Sequence, residues 1–308
     1  EFRHRLPAGF QSYVLNTRNP KLQDPRVREA LGLAIDFEWM NRQMFYNSYQ
    51  RVKGLFMNTD CEANGLPSPE ELAILEPWRG KIPDAAFGAM AVPARTDGEN
   101  SLRGNLRKAR ELLKQAGWEV RDGLLRNAKG EPLVLEYLDS NEGGVRVIAP
   151  WQRNLEKLGI QLNFRPVDFA LYQQRLQKFE FEITSLAYQG THTPGQEYID
   201  LFGSKAADTP GSGNYGGIKN PAIDALIGKL TAAEVRDDFL AACRSLDRVI
   251  AHGHYLIPAW TSASRRIAFS DWKLERPKVV PAYPPEGVPY MDWFMTTWWA
   301  RMPPKTSK

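Results

Sequence analysis

Apolar and polar positions in this chain fall into short strands alternating with helices. Residues 12–16 read as a strand, Arg18-Asn19-Pro20 as a turn, and Asp24 with Pro25 as the N-cap and first residue of a helix. Val27, Ala30, Leu31, Ala34 and Ile35 then recur at helical spacing and give it one apolar face. A second helix is predicted over 37–46, after Asp36. Residues 47–101 are mostly Pro, Gly, Asn and Asp with one helix predicted at 69–75, which reads as a long excursion over the surface. Leu102, Leu106, Ala109, Leu113 and Ala116 mark the next amphipathic helix, closed by Gly117. Residues 124–126, a turn at 127–130 and residues 133–138 predict a hairpin.

The pattern over 133–187 is strand 133–138, helix 143–158, strand 160–164, helix 169–178 and strand 181–187. Two consecutive βαβ units imply three parallel strands joined by right-handed crossovers. Ligands in such sheets sit beyond the carboxyl ends of the strands, which singles out loops 139–142, 165–168 and 188–197. Asp139, Asn141, Glu142, Tyr188, Gln189, His192 and Glu197 are therefore candidate ligand contacts. Gly190, Pro194 and Gly195 permit turns that present Gln189, His192 and Glu197 together. A glycine-rich loop over 210–217 follows, with Asn214 as a further candidate, then a helix opened by Pro221 and a longer one over 232–251. From Tyr255 the chain is extended and dense in Pro and aromatics, through Trp293, Trp298 and Trp299.

The 308 residues are 43% hydrophobic and 25% charged, enough apolar material for one large domain or two smaller ones. No apolar run approaches the roughly 18 residues of a membrane span. The chain starts Glu1-Phe2-Arg3-His4 with no signal-peptide pattern, and reads as a processed chain or an excised piece. A net charge of +4 without a basic block argues against nucleic acid as a partner. Cys61 and Cys243 are too few for a zinc site or a disulfide framework and leave two readings, one disulfide or two buried thiols.

Nucleophile elbows, H-E-x-x-H helices and P-loops are missing. Residues 211–216 match G-x-G-x-x-G, but without a strand before and a helix after them they read as a turn-forming loop. His252 and His254 lack an evident third metal ligand and read as helix-terminal and strand-leading residues, while His4 lies in a fraying end. Paired carboxylates such as Glu70 and Glu71 read as solvated faces.

Asn16, the run Asp24-Pro25-Arg26-Val27-Arg28-Glu29-Ala30-Leu31, and Ala34-Ile35-Asp36 together resemble the family 5 extracellular solute-binding proteins, the peptide and nickel binding components of ABC importers. Residues 108–118 and 154–160 are similar to a second block of that family. Residues 66–72, 208–212 and the ending Thr296-Thr297-Trp298-Trp299 resemble its YejA-type branch. The resemblance covers residues 12–300 and only the second half of a full-length member.

What it implies is an α/β fold, the second lobe of a two-lobed type II, cluster C-like periplasmic binding protein, with a mixed sheet flanked by helices and an extended C-terminal return segment. Residues 1–9 would enter from the hinge, 10–257 form the ligand-binding lobe, and 258–308 return to complete the missing first lobe, with Pro258 and Ala259 at the hinge. Asn16 and Trp260 join the expected ligand contacts. The family commonly holds a peptide's ammonium with an Asp after the strand that here ends at Ala187; this chain has none there, and Glu197 is the substitute carboxylate. The expected function is reversible, non-enzymatic capture of an oligopeptide or peptide-like solute in the periplasm. The expected partners are an ABC permease and the other lobe, with no cofactor and no metal, in a monomer. Two other classes remain: the sensory domain of a transcriptional regulator, and a hydrolase.

Overall fold

The computed structural model describes residues 2–3, 7–99, 101–262, 264–265, 268–270, 272–279 and 297–301. His4 and Trp293, singled out above, lie outside the described residues. The first half of the chain forms β1 (Phe2–Arg3), β2 (Phe10–Leu15), α1 (Pro25–Leu33), α2 (Phe37–Gln43), β3 (Gln50–Arg51), α3 (Pro69–Leu75), α4 (Leu102–Gln115), β4 (Glu119–Arg121), β5 (Leu124–Arg126) and β6 (Val134–Asp139). The second half forms α5 (Val145–Glu156), β7 (Gln161–Pro166), α6 (Phe169–Gln177), β8 (Ile183–Tyr188), α7 (Glu197–Phe202), α8 (Pro221–Ala232), α9 (Arg236–His252), β9 (Leu256–Pro258), β10 (Trp260–Thr261), β11 (Ser264–Arg265), β12 (Leu274–Glu275) and β13 (Trp299–Ala300). The helices begin where the sequence places caps: Asp24 accepts the Arg26 amide at 2.9 Å and Asp168 the Leu171 amide at 2.9 Å.

Five strands form the central sheet in the order β7-β6-β8-β2-β9. β6 is parallel to both β7 and β8, as the two βαβ units require, whereas β2 runs antiparallel to β8 and β9 and makes the sheet mixed. The two-residue period of β2 divides the core. Tyr13 and Leu15 pack on one face with α1, α4 and α5, while Phe10 and Val14 pack on the other with α6, α8 and α9. Helices thus cover both faces.

The hairpin predicted at 124–138 forms only around its turn, where Asn127 N donates to Glu131 O at 3.0 Å and Leu133 N to Leu125 O at 2.8 Å, and another hairpin precedes it. β5 pairs with β4 through Asp122 and Gly123, both at positive φ (51° and 77°), a turn whose twist matches that of the strands. Only one bridge, Arg126 with Pro132, links β5 toward β6, which is instead held in the sheet by its parallel neighbours.

The excursion 47–101 is not a surface loop. α9 fastens it along one side: Cys243 forms a disulfide with Cys61, deciding between the two readings of these cysteines. Asp247 accepts the amides of Leu55 at 2.8 Å and Ala63 at 3.2 Å, and Arg248 binds Glu71 and the carbonyls of Asn64, Gly65 and Gly88. His252 meets the Ala89 carbonyl at 3.2 Å. Val52, Leu55, Phe56 and Met57 of the excursion are buried in the core.

Candidate functional site

The three parallel strands end at one edge of the sheet, at Asp139, Pro166 and Tyr188. Because β2 is antiparallel, Phe10 lies opposite Tyr188, and the chain arrives at this edge too. It also leaves there, since β9 pairs Pro258 with Ser12 and the Ala259 amide donates to Gln11 O at 2.9 Å. Thr261 Oγ1 donates to Ala8 O at 3.2 Å, tying the arriving and departing segments to each other. Gly9, at φ +63°, and Gly190 bring the arriving segment against the loop after β8. A Cβ on Gly190 would stand 2.6 Å from the Gly9 nitrogen, so no side chain fits.

At the end of β6, Asp139 is half-buried and accepts the Asn141 amide at 2.9 Å, and desolvation raises its carboxyl above the ordinary range. Asn141 is exposed and caps the following turn through the Gly143 amide; Glu142 is exposed beside it. After β8, Gln189 is exposed and His192 half-buried. Glu197 opens α7 with an exposed carboxylate that accepts the Gly195 amide at 2.9 Å. The sheet brings these two loops to one edge, since β6 and β8 are neighbours.

The remaining sequence candidates are placed elsewhere. Asn16 follows β2 at the opposite edge, buried, with its amide donating to Phe179 O and Phe181 O and accepting from Arg18. Asn214 is fully buried and bonded to Gly203 O, Ile218 O and the Ile218 amide, which holds the glycine-rich loop together. Asn16 has no hydrogen-bonding capacity left for a ligand, and burial closes Asn214 to one. Tyr188 turns into the core between Phe10 and Phe202, with its hydroxyl buried and unpartnered and its pKa raised by burial. Trp260 is core as well, packed against Phe37, Phe45 and Tyr13. Pro258 and Ala259 are not free to act as a hinge: Pro258 O accepts from Arg51 Nε at 2.8 Å, and Ala259 O accepts from Val52 N at 3.2 Å. Torsions bonded on both sides cannot absorb a rotation. His254 sits 3.7 Å from Glu29, its pKa lowered to about 4 by burial.

The sequence reading missed Tyr13 and Arg51. β3 pairs with β10 and carries Arg51 to the edge where the chain departs, at the end of an open groove of about 920 Å³ that runs along α2. Burial lowers the Arg51 pKa to about 10, so it stays charged. The Tyr13 hydroxyl, its own pKa raised by burial, feels both Arg51 and Asp139. The one sequence signal was the β-compatible run Tyr49-Gln50-Arg51-Val52 inside an otherwise polar stretch.

The sequence profile of the bacterial extracellular solute-binding proteins, family 5, matches residues 3–210. A probable peptide-binding protein YejA from Agrobacterium fabrum is 38% identical over 299 residues, 96% of this chain and 47% of that protein. A peptidoglycan-binding protein YepA from the same organism is 35% identical over 283 residues, 91% of this chain and 46% of that protein. The oligopeptide-binding protein AppA from Bacillus subtilis, solved with a nonapeptide, superposes with a TM-score of 0.64 at 18% identity, over 83% of this chain and 45% of that one. The last likeness is one of fold, that of a type II periplasmic binding protein. The chain spans about half the length of the curated relatives it matches, 47% of the first.

Proposed function

We propose, from the premise that the chain belongs to the bacterial extracellular solute-binding proteins of family 5, in their YejA-like branch, that it is one of two lobes closing on a peptide or peptide-like solute. The observation that carries this reading is the bond between Thr261 and Ala8. Both chain crossings leave the lobe at the edge that bears Asp139 and loop 188–197, so a second lobe joined through them faces those residues. The antiparallel pair of β1 with β11 lies just beyond the crossings and is suited to act as the connector. Ligand then shifts an open and closed equilibrium by its differential affinity for the closed form.

In this reading the lobe runs from about residue 8 to Thr261, and the segment after it returns to the opposing lobe. The whole protein binds without turnover and delivers its solute to an ABC permease. The Cys61–Cys243 disulfide suits the oxidising periplasm. Relatives named for peptide and peptidoglycan binding support a peptide-bearing ligand.

The test is native mass spectrometry and calorimetry on the full-length protein, purified without denaturation. A co-purified or titrated peptide should bind intact, and the 308-residue chain alone should bind it at least about a hundredfold more weakly, roughly 2.7 kcal/mol. Cleaved peptide would replace this reading with hydrolysis; equal affinities would put the whole site in this chain.

A further inference from the structure

β9 is an edge strand of the central sheet, bonded on one side to β2. The Leu15 amide donates to Tyr255 O at 3.0 Å and the Ala259 amide to Gln11 O at 2.9 Å, with Ile257 opposite Tyr13 between them, so the bonds to β2 fall on residues 255, 257 and 259. The alternation of an antiparallel ladder then turns the Leu256 amide and carbonyl away from the sheet. On that side lies the excursion. β3 begins a ladder with β10, Arg51 opposite Trp260, and the Val52 amide reaches Ala259 O at 3.2 Å. Continued in that register, residues 53–55 would meet residues 256–258. They part from them instead, because Asp247 of α9 takes the Leu55 amide at 2.8 Å and draws the chain aside. Gly54 permits the detour: a Cβ there would stand 2.6 Å from Asp247 Oδ1.

The parted ladder leaves a slot of about 140 Å³ between β9 and residues 53–55, lined also by residues 91–94. Its walls are mainly apolar, from Leu33, Leu55, Val92, Ile250, Leu256 and Ile257. Leu256 and Gly54 are both buried, and their backbone amides and carbonyls have no hydrogen-bond partner among the described residues. Asp247, 1% exposed, accepts one amide on each oxygen, at 2.8 and 3.2 Å, which leaves each a lone pair. Buried backbone groups seldom go unbonded, so the slot calls for a partner that both donates and accepts. The charges around it set the class of that partner. Arg28 and Arg51 line the slot and oppose a cation, while Asp247 opposes an anion. Glu29, which also lines it, is paired with Lys108 at 2.7 Å.

We infer that this slot binds a small neutral amide with a compact apolar body, its C=O on the Leu256 amide and its N–H on the Leu256 carbonyl or Asp247. Size follows from volume: an apolar cavity of about 150 Å³ takes one benzene ring, so roughly six to eight non-hydrogen atoms fill this one. An occupant braces residues 53–55 against β9, and with them the Arg51 that borders the groove along α2. The site lies inside this lobe and stands whether or not the two-lobed reading does.

The experiment is saturation-transfer NMR on the full-length protein with isobutyramide, isobutyrate, isobutylammonium and methyl isopropyl ketone, which carry similar apolar bodies and differ in the head group. Isobutyramide should bind with a Kd of about 1 mM or tighter, and the other three at least about tenfold more weakly. Adding it should slow hydrogen exchange in the segment 255–258. Ala251→Leu, which narrows the slot from α9, should weaken isobutyramide at least about tenfold. Gly32→Ala, whose added methyl meets Ile257 at 3.6 Å without a clash, should weaken it in a protein whose melting temperature is not lowered. Affinity unchanged in both folded variants places the amide elsewhere and overturns the inference, as does equal or tighter binding of either ion or of the ketone. No saturation transfer from isobutyramide at about 20 mM leaves the slot to water and overturns it as well.

Discussion

Arg248 Nε donates to Glu71 Oε2 at 2.5 Å, joining α9 to α3 across 177 residues with both side chains shut away from solvent. The other guanidinium hydrogens reach carbonyls at residues 64, 65 and 88, so one side chain gathers the whole excursion onto α9.

Removing the carboxylate should therefore be severe. Glu71→Gln strands a buried guanidinium and is expected to cost about 3–5 kcal/mol, read from the urea midpoint. The double variant Glu71→Leu with Arg248→Met should recover much of that loss, since an apolar pair of similar volume needs no counter-charge. A single-variant cost near zero would mean that the pair is not what holds the excursion.

Asp247 gives the fold a pH dependence of definite sign. Burial raises its carboxyl from 3.8 to about 7, so the folded protein binds the proton more tightly than the unfolded chain does. Its contribution is fully present below about pH 4 and is lost as pH rises through about 7, an effect on the order of a few kcal/mol. Urea unfolding between pH 4.5 and 8 should show that decline in the parent chain and a flatter profile in Asp247→Asn. A profile that rises with pH and is unchanged by the substitution would contradict the assignment.

The disulfide closes a loop spanning 182 positions, which in the chain-entropy account is worth about 3–5 kcal/mol. Reduction, or Cys61→Ser with Cys243→Ser, should lower the melting temperature by roughly 5–8 °C in a chain of 308 residues. Scanning calorimetry with and without reductant measures it, and the double variant should no longer respond to reductant.

Glu197 accepts the Gly195 amide through one oxygen at the start of α7 and is otherwise open to water, as a surface carboxylate is. Glu197→Gln should then change peptide affinity by less than about 0.5 kcal/mol and treat acetylated and free peptides alike. A larger loss confined to free amines would return the ammonium to this loop.

Local periodicity made most of the sheet legible. The two βαβ units, the caps at Asp24 and Asp168 and the convergence of loops at Asp139 and Tyr188 all depend on neighbours in sequence. What escaped depends on contacts between distant residues. Asn16 and Asn214 carry side chains as suited to a ligand as to a carbonyl, and only the fold shows that carbonyls had already filled them. Tyr188 and Trp260 look like ligand-stacking aromatics until the core claims them. Arg51 was hidden for the opposite reason: its partner strand, β10, lies some 200 residues away, beyond any local pattern, in a stretch whose Pro and Gly content read as loop.

The hydrogen bond from Thr261 to Ala8 also brings the two ends of the lobe together. A unit whose two ends touch behaves as an insertion: it can be completed while the sequence on either side is still uncommitted. In the two-lobed arrangement proposed above, an opposing lobe built from segments before and after it would stay open until residues beyond 261 had been synthesised, because its last piece would not yet have left the ribosome. In that arrangement the chain path would impose the folding order, with this lobe finished first and serving as the brace on which the other is assembled.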